Sequence, residues 1–304
     1  MRSLALSFLL AFSPALVRAQ GPCHSVTGLD AAGLLARADS AMQLDRTAGK
    51  VYRWSGMRST LENYQSDRTY PPFFSTFTSE EGWYDPASGA LRERGRVSYM
   101  SYGTNDAPEI LSGPTATWLV RDTTLRPLSA LRAMGAQARA REPWAVVRDW
   151  RTGPAVTVEG SCVYRDYPRL VLTRTAEGRR ERLFLDPKTG FPVKLERREL
   201  HYLWGDVLVE DVWSNWLDVG GAMSPGSSFR VVDGATEVSR SVAQGSLVPV
   251  DSAPALRLPD PSLVQAEVIP AFLDPVTPDT IRVSERTFLL RNRGYTEAVT
   301  LQRD

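Results

Sequence analysis

Two cysteines and two histidines are the only thiols and imidazoles in this 304-residue chain. Cys23 and Cys162 make an even pair, which in an oxidising compartment is a candidate disulfide. Closing so long a loop would stabilise the fold by about 4–5 kcal/mol in the chain-entropy model. The other reading is two unpaired thiols, with Cys162 packed in a strand. His24 and His201 are too few for a catalytic zinc, which takes three protein ligands and keeps a fourth position open. They read as a solvated imidazole near the mature N-terminus and a side chain on a strand face. Glu80-Glu81 and Glu210-Asp211 are adjacent in sequence, so on extended strands each pair points to opposite faces and cannot share a substrate. Gly221-Ala222-Met223-Ser224-Pro225-Gly226 lacks the Gly-x-Ser-x-Gly spacing of a nucleophile elbow. No Gly-x-Gly-x-x-Gly or phosphate loop is present. The expectation is that these residues hold neither a catalytic group nor a metal ligand.

What remains is apolar. Among eight tryptophans are Trp118, Trp144, Trp150, Trp213 and Trp216. Aromatics on a curved sheet could line a pocket for an acyl chain or another apolar ligand, and Leu131, Met134, Trp144 and Trp150 are the candidates. The competing reading is core packing, which aromatics dominate in any protein.

These side chains must be positioned by the elements around them. Asp30 caps a predicted helix over 31–42, with Leu34, Ala38, Ala41 and Met42 at helical spacing. Strand texture follows over 50–100, interrupted by Asp85-Pro86-Ala87-Ser88-Gly89, a hairpin loop. Asp186-Pro187-Lys188-Thr189-Gly190 repeats that device: proline fixes φ and glycine takes φ > 0. Thr115 to Arg121 reads as a strand. Pro127 is expected to open one helix, with Leu128, Leu131 and Met134 inward, and Pro143 a shorter one. Val156, Val158, Gly160, Cys162 and Tyr164 alternate with Thr157, Glu159, Ser161 and Val163, the period of a half-buried strand. Strands continue over 170–175, 182–185, 193–202 and 207–216, and Arg182, Lys194, Glu196 and Arg198 are expected on a solvated outer face. Asp233-Gly234 marks a hairpin between 229–232 and 235–242.

Residues 1–19 have the form of an export signal: Arg2, an apolar core from Leu4 to Leu16, and a small-x-small end at Val17-Arg18-Ala19. That core is too short for a transmembrane helix, which needs about 20 apolar residues, so a secreted or periplasmic product is expected. The formal net charge of +1 and the absence of like-charge runs speak against nucleic acid or an anionic membrane as partner. Seven prolines between Pro249 and Pro278 mark a semi-rigid linker over 248–280. Two short strand candidates, 287–291 and 298–301, follow within 281–304; alone they are too little to fold.

The helix, the long antiparallel run, Leu185-Asp186-Pro187-Lys188-Thr189-Gly190-Phe191-Pro192-Val193 and Trp216-Leu217-Asp218-Val219-Gly220-Gly221 followed by Pro225 resemble the periplasmic lipoprotein-carrier family. Over residues 28–245 the resemblance implies an α+β fold: a curved antiparallel sheet, a half-open β-barrel, covered by a few helices and holding acyl chains. Gly205 to Pro225 and Pro259-Asp260 also look like the N-terminal region of secreted metallo-β-lactamase-fold hydrolases, in which a carrier-like domain precedes a zinc domain. Residues 281–290 and 295–301 then resemble the opening hairpin of that domain. The His-x-His-x-Asp-His segment of that family is absent, so no ligand carries over, and zinc is expected only in the missing domain. The sequence therefore divides as signal peptide 1–19, carrier-like domain 20–247, linker 248–280 and truncated hairpin 281–304. The functional expectation is the non-catalytic N-terminal region of an exported zinc hydrolase, with a stand-alone lipid or lipoprotein carrier as the alternative.

Overall fold

A computed structural model of the chain describes residues 23–62, 74–99, 103–113, 117–121, 124–127, 142–176, 178–201, 205–253, 256, 279–282, 287–292 and 295–300. The predicted export signal, the segment 128–141 with Leu131 and Met134, and most of the predicted linker lie outside these residues.

Helix α1 (Ala31–Met42) starts where expected. The Gly33 amide donates to the Asp30 carboxylate at 2.7 Å, satisfying one of the first-turn N–H groups, and Gln43 ends the helix in the left-handed region. Helix α2 (Pro143–Thr152) has proline at its first position, where no intrahelical donor is lost. Among the described residues no helix is long and apolar enough to cross a membrane.

Among the described residues, thirteen strands form one antiparallel sheet. In chain order they are β1 (Lys50–Glu62), β2 (Phe74–Tyr84), β3 (Leu91–Tyr99), β4 (Gly103–Ser112), β5 (Thr117–Arg121), β6 (Thr124–Pro127), β7 (Thr157–Tyr164), β8 (Tyr167–Ala176), β9 (Arg179–Leu185), β10 (Pro192–His201), β11 (Gly205–Asp218), β12 (Met223–Val232) and β13 (Ala235–Pro249). Their spatial order is β6-β5-β4-β3-β2-β1-β13-β12-β11-β10-β9-β8-β7, so two meanders are joined where the last strand, β13, pairs with the first, β1. The described pairings leave β6 and β7 at its two edges.

The sheet curls around its helices. From consecutive positions on α2, Arg148 donates to the Pro86 carbonyl beyond β2 and Asp149 pairs with Arg174 on β8. Those strands are seven places apart in the sheet, and at about 4.8 Å per strand a flat sheet would separate them by roughly 34 Å. A helix about 10–12 Å across with its side chains cannot span that gap. The curled face is filled by Leu34, Leu35, Ala38 and Met42 of α1, Trp144, Val147 and Trp150 of α2, and inward residues from Trp54 on β1 to Leu172 on β8. The fold is thus the expected α+β arrangement of a curved, unclosed antiparallel sheet covered by helices.

Turn chemistry recurs with the same bonds. In both Asp85–Gly89 and Asp186–Gly190 the glycine amide donates to the aspartate carbonyl at 2.8 Å, and the aspartate side chain accepts from amides within the turn. Gly89 and Gly190 take φ of 70° and 83°, which a side chain would strain. Arg37 donates to the Pro187 and Lys188 carbonyls at 2.8 Å each, docking α1 on the second turn.

Four expectations are corrected. Pro127 itself ends β6, opposite Trp118, as an edge strand tolerates, and the helix expected to run from it with Leu128, Leu131 and Met134 falls on 128–141, outside the described residues. The alternation from Val156 to Tyr164 breaks at a bulge between Val158 and Gly160, so Val158 packs with the helices while Cys162 and Tyr164 join Phe184 and Val171 on the opposite side. Lys194 and Glu196 are buried rather than solvated, at 0% and 9% exposure. Near the C-terminus three strands pair rather than two, as β14 (Asp279–Arg282), β15 (Thr287–Asn292) and β16 (Tyr295–Thr300).

Candidate functional site

The helix-facing side of the sheet has two zones. The first is aromatic. Tyr52 and Trp54 stack with centroids 5.3 Å apart, Trp144 lies 5.2 Å from Tyr52, and the Trp144 indole N–H donates to the Met223 carbonyl at 2.7 Å. Trp150 sits beneath the Arg174 guanidinium at 4.7 Å. Trp144 and Trp150, expected as pocket lining, are 1% and 2% exposed members of the main core. The structure places them together on α2, where they fill space against the sheet.

The second zone is a belt of ion pairs running across the same face. Arg174 donates to Glu181 at 2.8 Å and to Asp149 at 2.5 Å. Arg197 binds Asp211 and, at 2.5 Å, Glu199; Arg230 donates to Glu199 at 2.7 Å and Glu237 at 2.9 Å. Arg240 reaches Glu142 at 2.8 Å and lies 3.6 Å from Glu80. Arg58 lies 3.1 Å from Glu80 and 3.7 Å from Glu93. Beyond the middle of the belt, Val207, Val209 and Val232 form a small apolar wall.

Burial and charge compete in this belt. Burial alone would raise the Glu199 carboxyl, but the Arg197 and Arg230 charges and their hydrogen bonds outweigh it and hold the group at about 2. Arg58 goes the other way: burial pulls its guanidinium down despite Glu80. Burial pushes the Tyr52 phenol up to about 12. Glu199 is therefore an ionised acceptor at neutral pH and cannot serve as a general acid there. The belt is built to hold charge in place under a low-dielectric cover, where a charged group lacking its partner would cost far more.

The adjacent carboxylates divide as their spacing requires. Glu80 faces the helices, whereas Glu81 lies outside between Arg53 and Arg94, 2.5 Å and 2.7 Å away. Asp211 faces inward to Arg197, and Glu210 outward to Lys194 at 2.6 Å. Sequence reasoning missed the inner belt, which only the cross-strand register reveals. Arg58, Arg174, Arg197, Arg230 and Arg240 all occupy strand positions whose cross-strand row faces the helices.

On the outer side, Met57, Ser79, Glu81, Arg94, Arg96 and Glu109 border an open groove of about 830 Å³ over β1–β4. At the β7 edge Cys23 and Cys162 come together, with sulfurs 2.00 Å apart and α-carbons 4.2 Å apart. Glu159 joins them in the one set of ligand-type atoms found close together among the described residues. With the sulfurs bonded to each other, that set offers a metal no thiolate. His24 is exposed and exchanges main-chain hydrogen bonds with Ser161, and His201 ends β10.

No protein-family model matches the sequence, and no curated protein does. Among solved structures the chain is similar to a LolA superfamily protein from Nitrosomonas europaea, at 12% identity over 78% of this chain and 98% of that one, with a TM-score of 0.46. It is similar also to a DUF1329 family protein from Desulfovibrio piger, at 10% identity over 70% of this chain and 92% of that one, with a TM-score of 0.44. A third likeness is to MucB in complex with MucA, at 14% identity over 88% and 73% of the two chains, with a TM-score of 0.23.

Proposed function

We propose that this chain is an exported binding protein that carries an amphipathic, acyl-bearing ligand against the helix-facing side of its sheet. The observation that carries this reading is the division of that side into an apolar zone and a belt of fixed charges. A ligand with a lipid tail and a polar head needs both, and a curved sheet left open at its edges gives it a way in. In this reading the tail lies along Val207, Val209 and Val232, and the head meets Arg230 and Arg197.

Mass spectrometry of the organic extract of exported protein tests it. The expected outcome is a co-purifying lipid or acylated peptide near one per chain, and saturable uptake of a long-chain fatty acid followed by tryptophan fluorescence. A chain that is empty on extraction and takes up no fatty acid overturns the reading. Arg230→Leu is expected to weaken uptake of an acylated peptide more than that of a plain fatty acid.

A second reading, the non-catalytic N-terminal region of a zinc hydrolase of the metallo-β-lactamase fold, is favoured by β14–β16, an antiparallel sheet after a proline-rich stretch. Its test is the downstream reading frame, which should encode a His-x-His-x-Asp-His segment. A frame that lacks one removes this reading and leaves the first untouched.

A further inference from the structure

On the outer side of the molecule, away from the ligand zone, we propose that Cys23 and Cys162 form a reversible redox latch. A dithiol reductant opens it and releases residues 23–29 from edge strand β7 while the sheet and its helices stay folded.

The first ground is how little else holds the segment. His24 and Ser161 exchange two main-chain hydrogen bonds, at 2.9 Å and 2.8 Å, as an isolated bridge at the sheet edge. Residues 24–30 are exposed, and the core that joins α1, α2 and the sheet takes none of them. Yet the seat is built for this segment. Gly160 has φ of 138°, and a side chain there would place its first carbon 2.2 Å from the His24 carbonyl oxygen. Among the described residues, one covalent bond and one bridge therefore control whether the β7 edge is covered.

The second ground is the charge around the sulfurs. Cys162 is 1% exposed and Cys23 is half-buried, so an incoming thiolate meets the Cys23 sulfur first. Its attack forms a mixed disulfide at Cys23 and breaks the Cys23–Cys162 bond, with the electron pair leaving on the Cys162 sulfur. The reductant's second thiol then displaces Cys23. The reductant leaves as a cyclic disulfide, two electrons pass to the protein, and the two protons end on the cysteines or in solvent. The Arg182 guanidinium lies 3.7 Å from Cys162 Sγ and 3.3 Å from Cys23 Sγ, where it stabilises the departing thiolate. A more stable leaving thiolate leaves faster and makes the disulfide easier to reduce. Glu159 Oε1 lies 3.3 Å from Cys23 Sγ and can accept a hydrogen bond from the Cys23 thiol once it forms. The site thus offers a cation to the thiolate leaving on Cys162 and an acceptor to the thiol formed at Cys23.

The third ground is that opening need not unfold anything else. Cys162, Val171 and Phe184 keep their packing with Tyr164 and Val193, and β7 keeps its ladder to β8.

The experiment is reduction of the full exported chain by dithiothreitol without denaturant, followed by alkylation and intact mass, near-ultraviolet circular dichroism and hydrogen exchange. The expected result is two alkylated thiols, an unchanged aromatic dichroism signal, and new exchange confined to 23–29 and the Ser161 amide. Arg182→Gln should slow reduction about tenfold, whereas Arg182→Lys, which keeps the charge, should stay within about threefold of the native rate. Glu159→Gln should speed reduction. Thiols that appear only with denaturant, or only as the aromatic signal collapses, overturn the latch. So does an Arg182→Gln rate equal to the native one. If Arg182→Gln does not fold, a Glu159→Gln rate no faster than native overturns the charge argument. Exported protein that already carries two free thiols overturns the proposal outright.

Discussion

The Lys194 ammonium lies 4.1 Å from the Phe184 ring centre and 4.3 Å from that of Tyr164, with Glu196 at 2.8 Å and Glu210 at 2.6 Å. It is fully buried, so its hydration is replaced by two carboxylates and two aromatic faces. Removing the cation alone would strand both carboxylates at a partly buried site. Lys194→Met should therefore cost about 3 kcal/mol in urea unfolding, within the range for breaking a buried pair. The triple variant Lys194→Met, Glu196→Gln, Glu210→Gln should recover most of that loss, because replacing a whole buried ion group is far cheaper than orphaning its partners. A triple variant as unstable as the single one would show that the lysine acts by shape and not by charge. Nothing in local sequence announces this residue. Strand parity sends Lys194 outward, and it does point outward, but onto a second apolar cluster that the N-terminal segment and β7 build there.

At the scale of elements, the short loops were legible in the sequence because their chemistry is local. Asp85–Gly89 and Asp186–Gly190 each contain the side-chain acceptor and the glycine their turn uses, and Asp233-Gly234 supplies two residues that take positive φ. Helix starts at Asp30 and Pro143 were legible for the same reason. Bulges were not. The break between Val158 and Gly160 depends on a partner 136 residues away along the chain, since His24 claims the space a side chain at Gly160 would need. The inner ion-pair belt stayed hidden too, because sheet curvature buries a charged row that a flat sheet would leave wet. Curvature also explains Gly82 on β2. A side chain there would put its first carbon 2.1 Å from Trp54 Cζ2, and Trp54 is wedged between Tyr52 and the Arg240 guanidinium, 5.3 Å and 5.1 Å away. Gly82→Val is thus expected to destabilise by about 1–3 kcal/mol, as overpacking does, and to alter the near-ultraviolet dichroism of Trp54. An unchanged melting temperature would mean that the indole can move aside and that the β1–β2 surface is looser than its contacts imply.

For the molecule as a whole, the ion-pair belt ties stability to pH, with a direction fixed by its members. Glu199 titrates near 2 when folded and near its ordinary 4.5 when unfolded, so the unfolded chain takes up the proton first as pH falls. Its contribution is complete above pH 4.5 and is lost on descending to about 2. Asp186 adds to the same trend. Burial would raise its carboxyl, but the Thr189 and Lys188 amides and the Arg169 charge more than offset that and hold it low. At the other end, burial lifts the Tyr52 and Tyr164 phenols to about 12, against an ordinary 10. The unfolded chain loses those protons first, so stability falls as pH rises from 10 toward 12. The urea midpoint should then be flat between about pH 5 and 9 and drop on either side, with Glu199 alone accounting for about 2 kcal/mol of the acid loss after allowing for its partial exposure. In Glu199→Gln the acid limb should be shallower by that amount while the alkaline limb stays unchanged. A native acid limb that is flat to pH 2.5, or an equally steep one in Glu199→Gln, would mean that the belt is not what holds the sheet closed upon its helices.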